Sequence, residues 1–124
     1  MWIFEQHSGR LYQDTDLETF YQGYSGHADG KNNPAMQGVK NFGPIPVGLY
    51  DIGEPHDTET HGPYVLRLTP APENEMHGRD NFLIHGDSRT LPGTASHGCI
   101  VISRPARMAV WLSEDRPLKV IAGG

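Results

Sequence analysis

The sequence predicts a mainly β fold, two packed sheets or a flattened barrel, with a single helix. Three observations carry this. The apolar runs are short and bounded by turn residues, as strands are. Fifteen Gly and ten Pro are scattered through the 124 residues, a punctuation that suits many short strands and not a helical bundle. Only one stretch repeats its apolar residues at helical spacing.

In chain order, Trp2–Glu5 and Leu11–Gln13 flank "HSGR", which reads as a hairpin turn. Glu18–Tyr24 is an aromatic strand that ends in a polar loop, "SGHADGKNNP". After the tight turn "GPIP", Val47–Gly53 alternates as a strand does. In Tyr64–Pro70, Val65 and Arg67 alternate with Leu66 and Leu68, the pattern of a half-buried strand. "NFLIHG" and "CIVIS" read as buried strands, and "PLKVIA" as the last. The helix is Arg104–Ser113, with Ser103 as N-cap, Pro105 in the first turn, and Met108, Trp111 and Leu112 on one face. Two loops, Asp29–Pro46 and Glu54–Pro63, are rich in Gly, Pro, Asn and His, where binding residues usually sit. No repeat or linker interrupts the chain, which reads as one domain over residues 1–124.

The net charge is −5 with neutral histidines, and no basic stripe appears. Non-specific nucleic-acid binding is therefore not expected, and an acidic ligand group must meet a specific Arg or Lys. No apolar span reaches the length that crosses a bilayer. "MWIFEQHSGR" lacks the basic and apolar regions of a secretory signal, so this stretch does not direct general secretion.

Chemistry concentrates in "FLIHGDSRTLPGTASHGCIVIS", which holds the only cysteine, Cys99, and two of seven histidines, His85 and His97. A lone Cys beside apolar residues is usually a small core residue. Here Gly98 precedes it and permits close approach of backbone or ligand. In an extended segment His97 and Cys99 share a face. The fourteen-residue separation lets the His85 strand lie beside the Cys99 strand. An imidazole touching the sulfur would lower its pKa from about 8.5. The other histidines read as solvated loop residues. His56 and His61, five apart with Asp57 and Glu59 between them, give only a weak zinc spacing.

The order His85-Gly86, variable loop, Ser96-His97-Gly98-Cys99 resembles the signature of the L,D-transpeptidase (YkuD-like) catalytic domain. "YSGHADGKNNPAMQGVKNFGPIPVGLYDIG", "HGPYVLRLTP" and "FLIHGDS" extend that likeness over nearly the whole chain, to the type VI secretion L,D-transpeptidase effectors. The resemblance implies Cys99 as nucleophile and His85 as general base, oriented by the carbonyl of Gly86. It implies that His97 lines the site and that the backbone of Gly98 and Cys99 serves the oxyanion. Tyr24, Ser25, Arg67, Asp87, Ser88 and Ser96 are the candidate substrate-binding residues, Arg67 as a carboxylate clamp. Many relatives carry Arg or Asn soon after the Cys, where this chain has Val101 and Ile102. No metal or organic cofactor is implied.

The implied substrate is a peptidoglycan stem tetrapeptide. Cleavage, D-amino-acid exchange and cross-linking all remain open as outcomes. The implied partners are a cognate immunity protein and the secretion machinery. The implied location is synthesis in the cytoplasm, then export and action in the periplasm of a target bacterium. The alternatives are a cysteine hydrolase acting on other peptides and a non-catalytic cell-wall-binding module.

Overall fold

The computed structural model describes residues 1–123. β1 (Trp2–Glu5) and β2 (Arg10–Gln13) form the expected antiparallel hairpin, and β3 (Asp16–Gln22) adds beside β2. The aromatic stretch expected as one strand is divided at Gly23, and β4 (Tyr24–Ser25) pairs elsewhere, with β8 (Ile100–Val101). Only glycine fits this corner, because a Cβ there would run into the carbonyl of Val101.

β5 (Gly48–Thr58) and β6 (Gly62–Pro70) make the longest hairpin. Much of the stretch expected as a loop, Glu54–Pro63, is therefore strand, and only the turn around Glu59–His61 is not. The stretch hid its nature because the ladder bulges between Ile52 and Pro55 and again between His56 and Thr58, which breaks the period-two pattern. β7 (Leu83–His85) pairs with β6, and β9 (Pro117–Ile121) lies between β1 and β5.

The strands form one mixed sheet in the order β3-β2-β1-β9-β5-β6-β7-β8-β4. Its two edge strands, β3 and β4, are separated in the chain by Gly23 alone. The ladder must therefore curl until its ends meet, which gives the flattened, sandwich-like shape of a mainly β fold. Inside the curl lie Phe4, Leu11, Ile52, Leu66, Ile84 and Leu118, all essentially without solvent contact. Each such side chain contributes about 1.5–3 kcal/mol when fully buried.

The helix α1 (Arg104–Leu112) starts where expected, with the Ser103 hydroxyl accepting from the Ala106 N–H. Its buried face differs from the expected one. Ala106, Arg107 and Val110 face the core, while Met108 and Leu112 are 39% and 69% exposed. Trp111 packs against the core from its edge. Small residues let the helix axis approach the sheet closely, and the bulky positions that attracted attention in the sequence fall on the outer side. No described helix is long and apolar enough to cross a membrane.

Candidate active site

β7 and β8 run parallel with Ile84 opposite Ile100. Both isoleucines are fully buried in the core. Side chains alternate across a strand, so His85 and Cys99, each one residue away, point to the other face. There both line a cavity of about 990 Å³. The parallel register is thus what brings the two motif halves together.

His85 is 2% exposed. Its Nδ1 lies 2.8 Å from the carbonyl oxygen of Gly86. A carbonyl can only accept, so Nδ1 carries the proton and Nε2 is left as the basic nitrogen. The Cys99 thiol points toward the Asn81 carbonyl at 3.8 Å and receives a backbone hydrogen bond from Leu83. His97 is exposed, lines the same cavity, and lies against His27 with ring centres 5.4 Å apart and the planes tilted by 47°.

The loop that presents Cys99 is fixed by hydroxyls. Ser25 donates to the Gly98 carbonyl at 2.8 Å and accepts from the Ile45 N–H. Ser96 donates to the Cys99 carbonyl at 2.6 Å and accepts from Gly26 and Gly98. The Gly98 N–H is therefore engaged with Ser96 and not directed at the cavity. Gly98 has φ +142°, and a Cβ there would collide with the Arg79 guanidinium, so only glycine fits. Tyr24 donates to Asp87 at 2.6 Å and accepts from the Ala95 N–H, and Asp87 also accepts from Ser88 and Gly93. Tyr24, Ser25, Asp87 and Ser96 thus tie down the segment between the motif halves. Asp87 and Ser88 reach the cavity wall, whereas Tyr24, Ser25 and Ser96 stand behind it. Arg67 is exposed and lies outside the cavity.

Three wall residues were not anticipated. Arg79, 6% exposed, donates to the carbonyls of Gln37, Gly43, Pro44 and His97 and lies near the thiol. Arg107, 4% exposed, donates to Pro63, Tyr64 and Ile102, which ties the β5–β6 turn to the helix. That turn leaves His61 exposed, as expected, and also sets it against His85, ring centres 4.7 Å apart. His56 stays on β5, and no three His, Cys, Asp or Glu side chains gather as metal ligands among the described residues.

Electrostatics make the resting pair neutral. Burial pushes the Cys99 thiol up, against the Leu83 N–H and the Arg79 charge, which pull it down. The expectation of a thiol held below its ordinary range is thus reversed, because desolvation outweighs the favourable partners. Burial pulls His85 down, more than its bond to Gly86 raises it, and the nearby His61 and Arg107 add to the depression.

A pH prediction follows from these two directions. Between its depressed folded pKa and the unfolded value of about 6.5, His85 binds more protons in the unfolded chain, so stability falls as pH drops through that window. Cys99 holds its proton longer in the folded state, so its contribution is present below about 8.5 and is lost as pH rises. Tyr12, pushed up to about 12 by burial and then by its bond to Glu5, acts only at higher pH. Thermal melts from pH 5 to 10 should show both limbs. Cys99→Ala should flatten the alkaline one and His85→Gln the acid one. An unchanged alkaline slope in Cys99→Ala would show that the thiol titrates normally.

A family model described as the Tlde1 domain matches residues 19–122. No curated protein and no solved structure matches the chain.

Proposed function

This chain belongs to the Tlde1 domain family of type VI secretion effectors that act on peptidoglycan, and we propose that it does so as a Cys99-dependent L,D-carboxypeptidase or transpeptidase. The observation that supports this reading most is the pair at the end of β7 and just before β8: a cysteine and a buried imidazole with a free basic nitrogen on one cavity wall.

In the proposed reaction, His85 Nε2 takes the thiol proton as Cys99 Sγ attacks the carbonyl that precedes D-alanine in a stem tetrapeptide. The S–C bond forms and the carbonyl electrons move onto oxygen. Since the Gly98 N–H is held by Ser96, the Cys99 N–H is the remaining donor of the expected pair to favour that negative charge, with the Arg79 charge nearby adding to it. Collapse breaks the C–N bond, and His85 returns the proton to the departing amine. D-alanine leaves and a thioester remains on Cys99. Water yields the shortened stem, a free D-amino acid yields exchange, and a second stem's amine yields a cross-link. The neutral resting pair makes His85 a general base during attack rather than the partner of a preformed thiolate.

The family context extends the reading to biology. The protein is exported, acts on the wall of a target bacterium, and its producer carries a cognate immunity protein. The test is mass spectrometry of stem peptides after incubation of the protein with purified sacculi, together with synthetic tetrapeptides ending in D- or L-alanine. Loss of D-alanine from the wall and rejection of the L-epimer are expected. Equal cleavage of both epimers would make the protein an ordinary cysteine peptidase.

A further inference from the structure

The chain carries ten Lys and Arg against fifteen Asp and Glu. The cavity inverts that balance. Lys40, Arg79, Arg89, Arg104 and Arg107 line it, against only Asp80 and Asp87. Asp87 is already engaged by Tyr24, Ser88 and Gly93. Among the described residues, none of the five cationic side chains forms an ion pair. Half of the chain's cations therefore converge, unneutralised, on one concave surface.

Two of the five have a fixed task, since the donors of Arg79 and Arg107 are on backbone carbonyls. Arg104 differs. It is the first residue of α1, is exposed, and lies 5.8 Å from the centre of the Tyr64 ring, a flat surface that steadies a guanidinium. It also stands at i and i+3 with Arg107 on the same helix. Like charges at that spacing repel. Burial pulls Arg107 down and the Arg104 charge adds to it. A helix that keeps two guanidinium groups side by side at a cavity wall, with no carboxylate between them, is built to receive one.

We propose that Arg104, on the wall of the cavity that His61 and His85 also line, binds a free carboxylate of an anionic peptide held there, and that this contact selects the substrate. On the reading above the peptide is a wall stem, so the inference rests on that reading for the identity of the peptide alone. The carboxylate belongs either to an internal residue of the stem or to its terminal D-residue. A planar guanidinium suits either, because it offers two parallel N–H donors to the two oxygens. The positive wall draws any anionic peptide alike, so it does not by itself tell one from another. Selectivity has to come from this local contact.

The test separates binding from turnover. In Cys99→Ala, which cannot turn over, the Kd of a stem tetrapeptide would be measured by calorimetry with each carboxylate free or amidated. Amidation of one carboxylate is expected to weaken binding about tenfold, the worth of a charge-assisted hydrogen bond. Arg104→Gln should weaken the unmodified peptide equally, and the two changes together should cost no more than either alone. The position whose amidation shows this non-additivity identifies the carboxylate. Arg104→Lys should recover part of the loss, which a merely structural role would not. Additive effects, no effect of any amidation, or no measurable binding would overturn the proposal. Turnover by the wild type on the same peptides is read independently. Absence of D-alanine release with the non-additivity intact would sink the cleavage reading and leave the carboxylate site standing.

Discussion

Cys99→Ala should abolish release of D-alanine from stem tetrapeptides while leaving the fold intact. The expected loss is at least about a thousandfold, because a covalent route has no substitute once its nucleophile is gone. The residual rate should be that of the cavity merely holding the peptide near water. The structural cost should be small. The side chain is partly exposed at the cavity wall, and its backbone is held by Ser96 and Ser25 through the carbonyls of Cys99 and Gly98, not through the sulfur. Circular dichroism and the melting temperature at neutral pH should therefore match the wild type. Retention of even about a tenth of the rate, on protein shown to be folded, would mean that the thiol is not the nucleophile.

The expected result depends on the β7–β8 register. Ile84 and Ile100 pair in the core, which fixes His85 and Cys99 on the opposite face. This much was legible in the sequence, because each half of the motif is a short apolar strand with the chemical residue at its end. The single helix and its cap were legible for a similar reason: Ser103, Pro105 and the residues after them act locally.

What stayed hidden depends on contacts far apart in the chain. Arg79 sits in a polar turn, twenty residues before Cys99. Only the folded chain brings it to four carbonyls and the thiol. His61 is exposed as expected, but its place against His85 was hidden because the strand on its N-terminal side is polar and bulged, so the tight β5–β6 turn read as part of a long loop. Arg107 was passed over in favour of the bulky Met108 and Leu112. Close packing of α1 on the sheet instead selects Ala106 and Val110 for contact and lets the Arg107 stem run beneath them. Soon after the cysteine this chain has buried Val101 and Ile102, and the cations that reach the cavity come from elsewhere, from Lys40, Arg79, Arg89, Arg104 and Arg107.

His85→Ala should lower kcat/KM by about 10²–10⁴, the range that a positioned general base supplies. The effect should exceed that of His97→Ala, for reasons of placement. His85 is buried, and its Nδ1–H is anchored on the Gly86 carbonyl, so one tautomer dominates and Nε2 is held as the base. His97 is exposed and leans on the ring of His27, an arrangement that shapes the rim but fixes no proton. Because the thiol is held up by burial and the imidazole down, removal of the base leaves no ready path for the proton at neutral pH. The His85→Ala rate should then climb with pH through and beyond the ordinary thiol range near about 8.5, as hydroxide replaces the missing nitrogen. The wild-type profile should already have levelled well below that. His97→Ala should keep the wild-type profile and lose no more than about tenfold, mostly in KM. A larger loss from His97→Ala, or a His85→Ala profile with the wild-type shape, would require the two histidines to exchange roles.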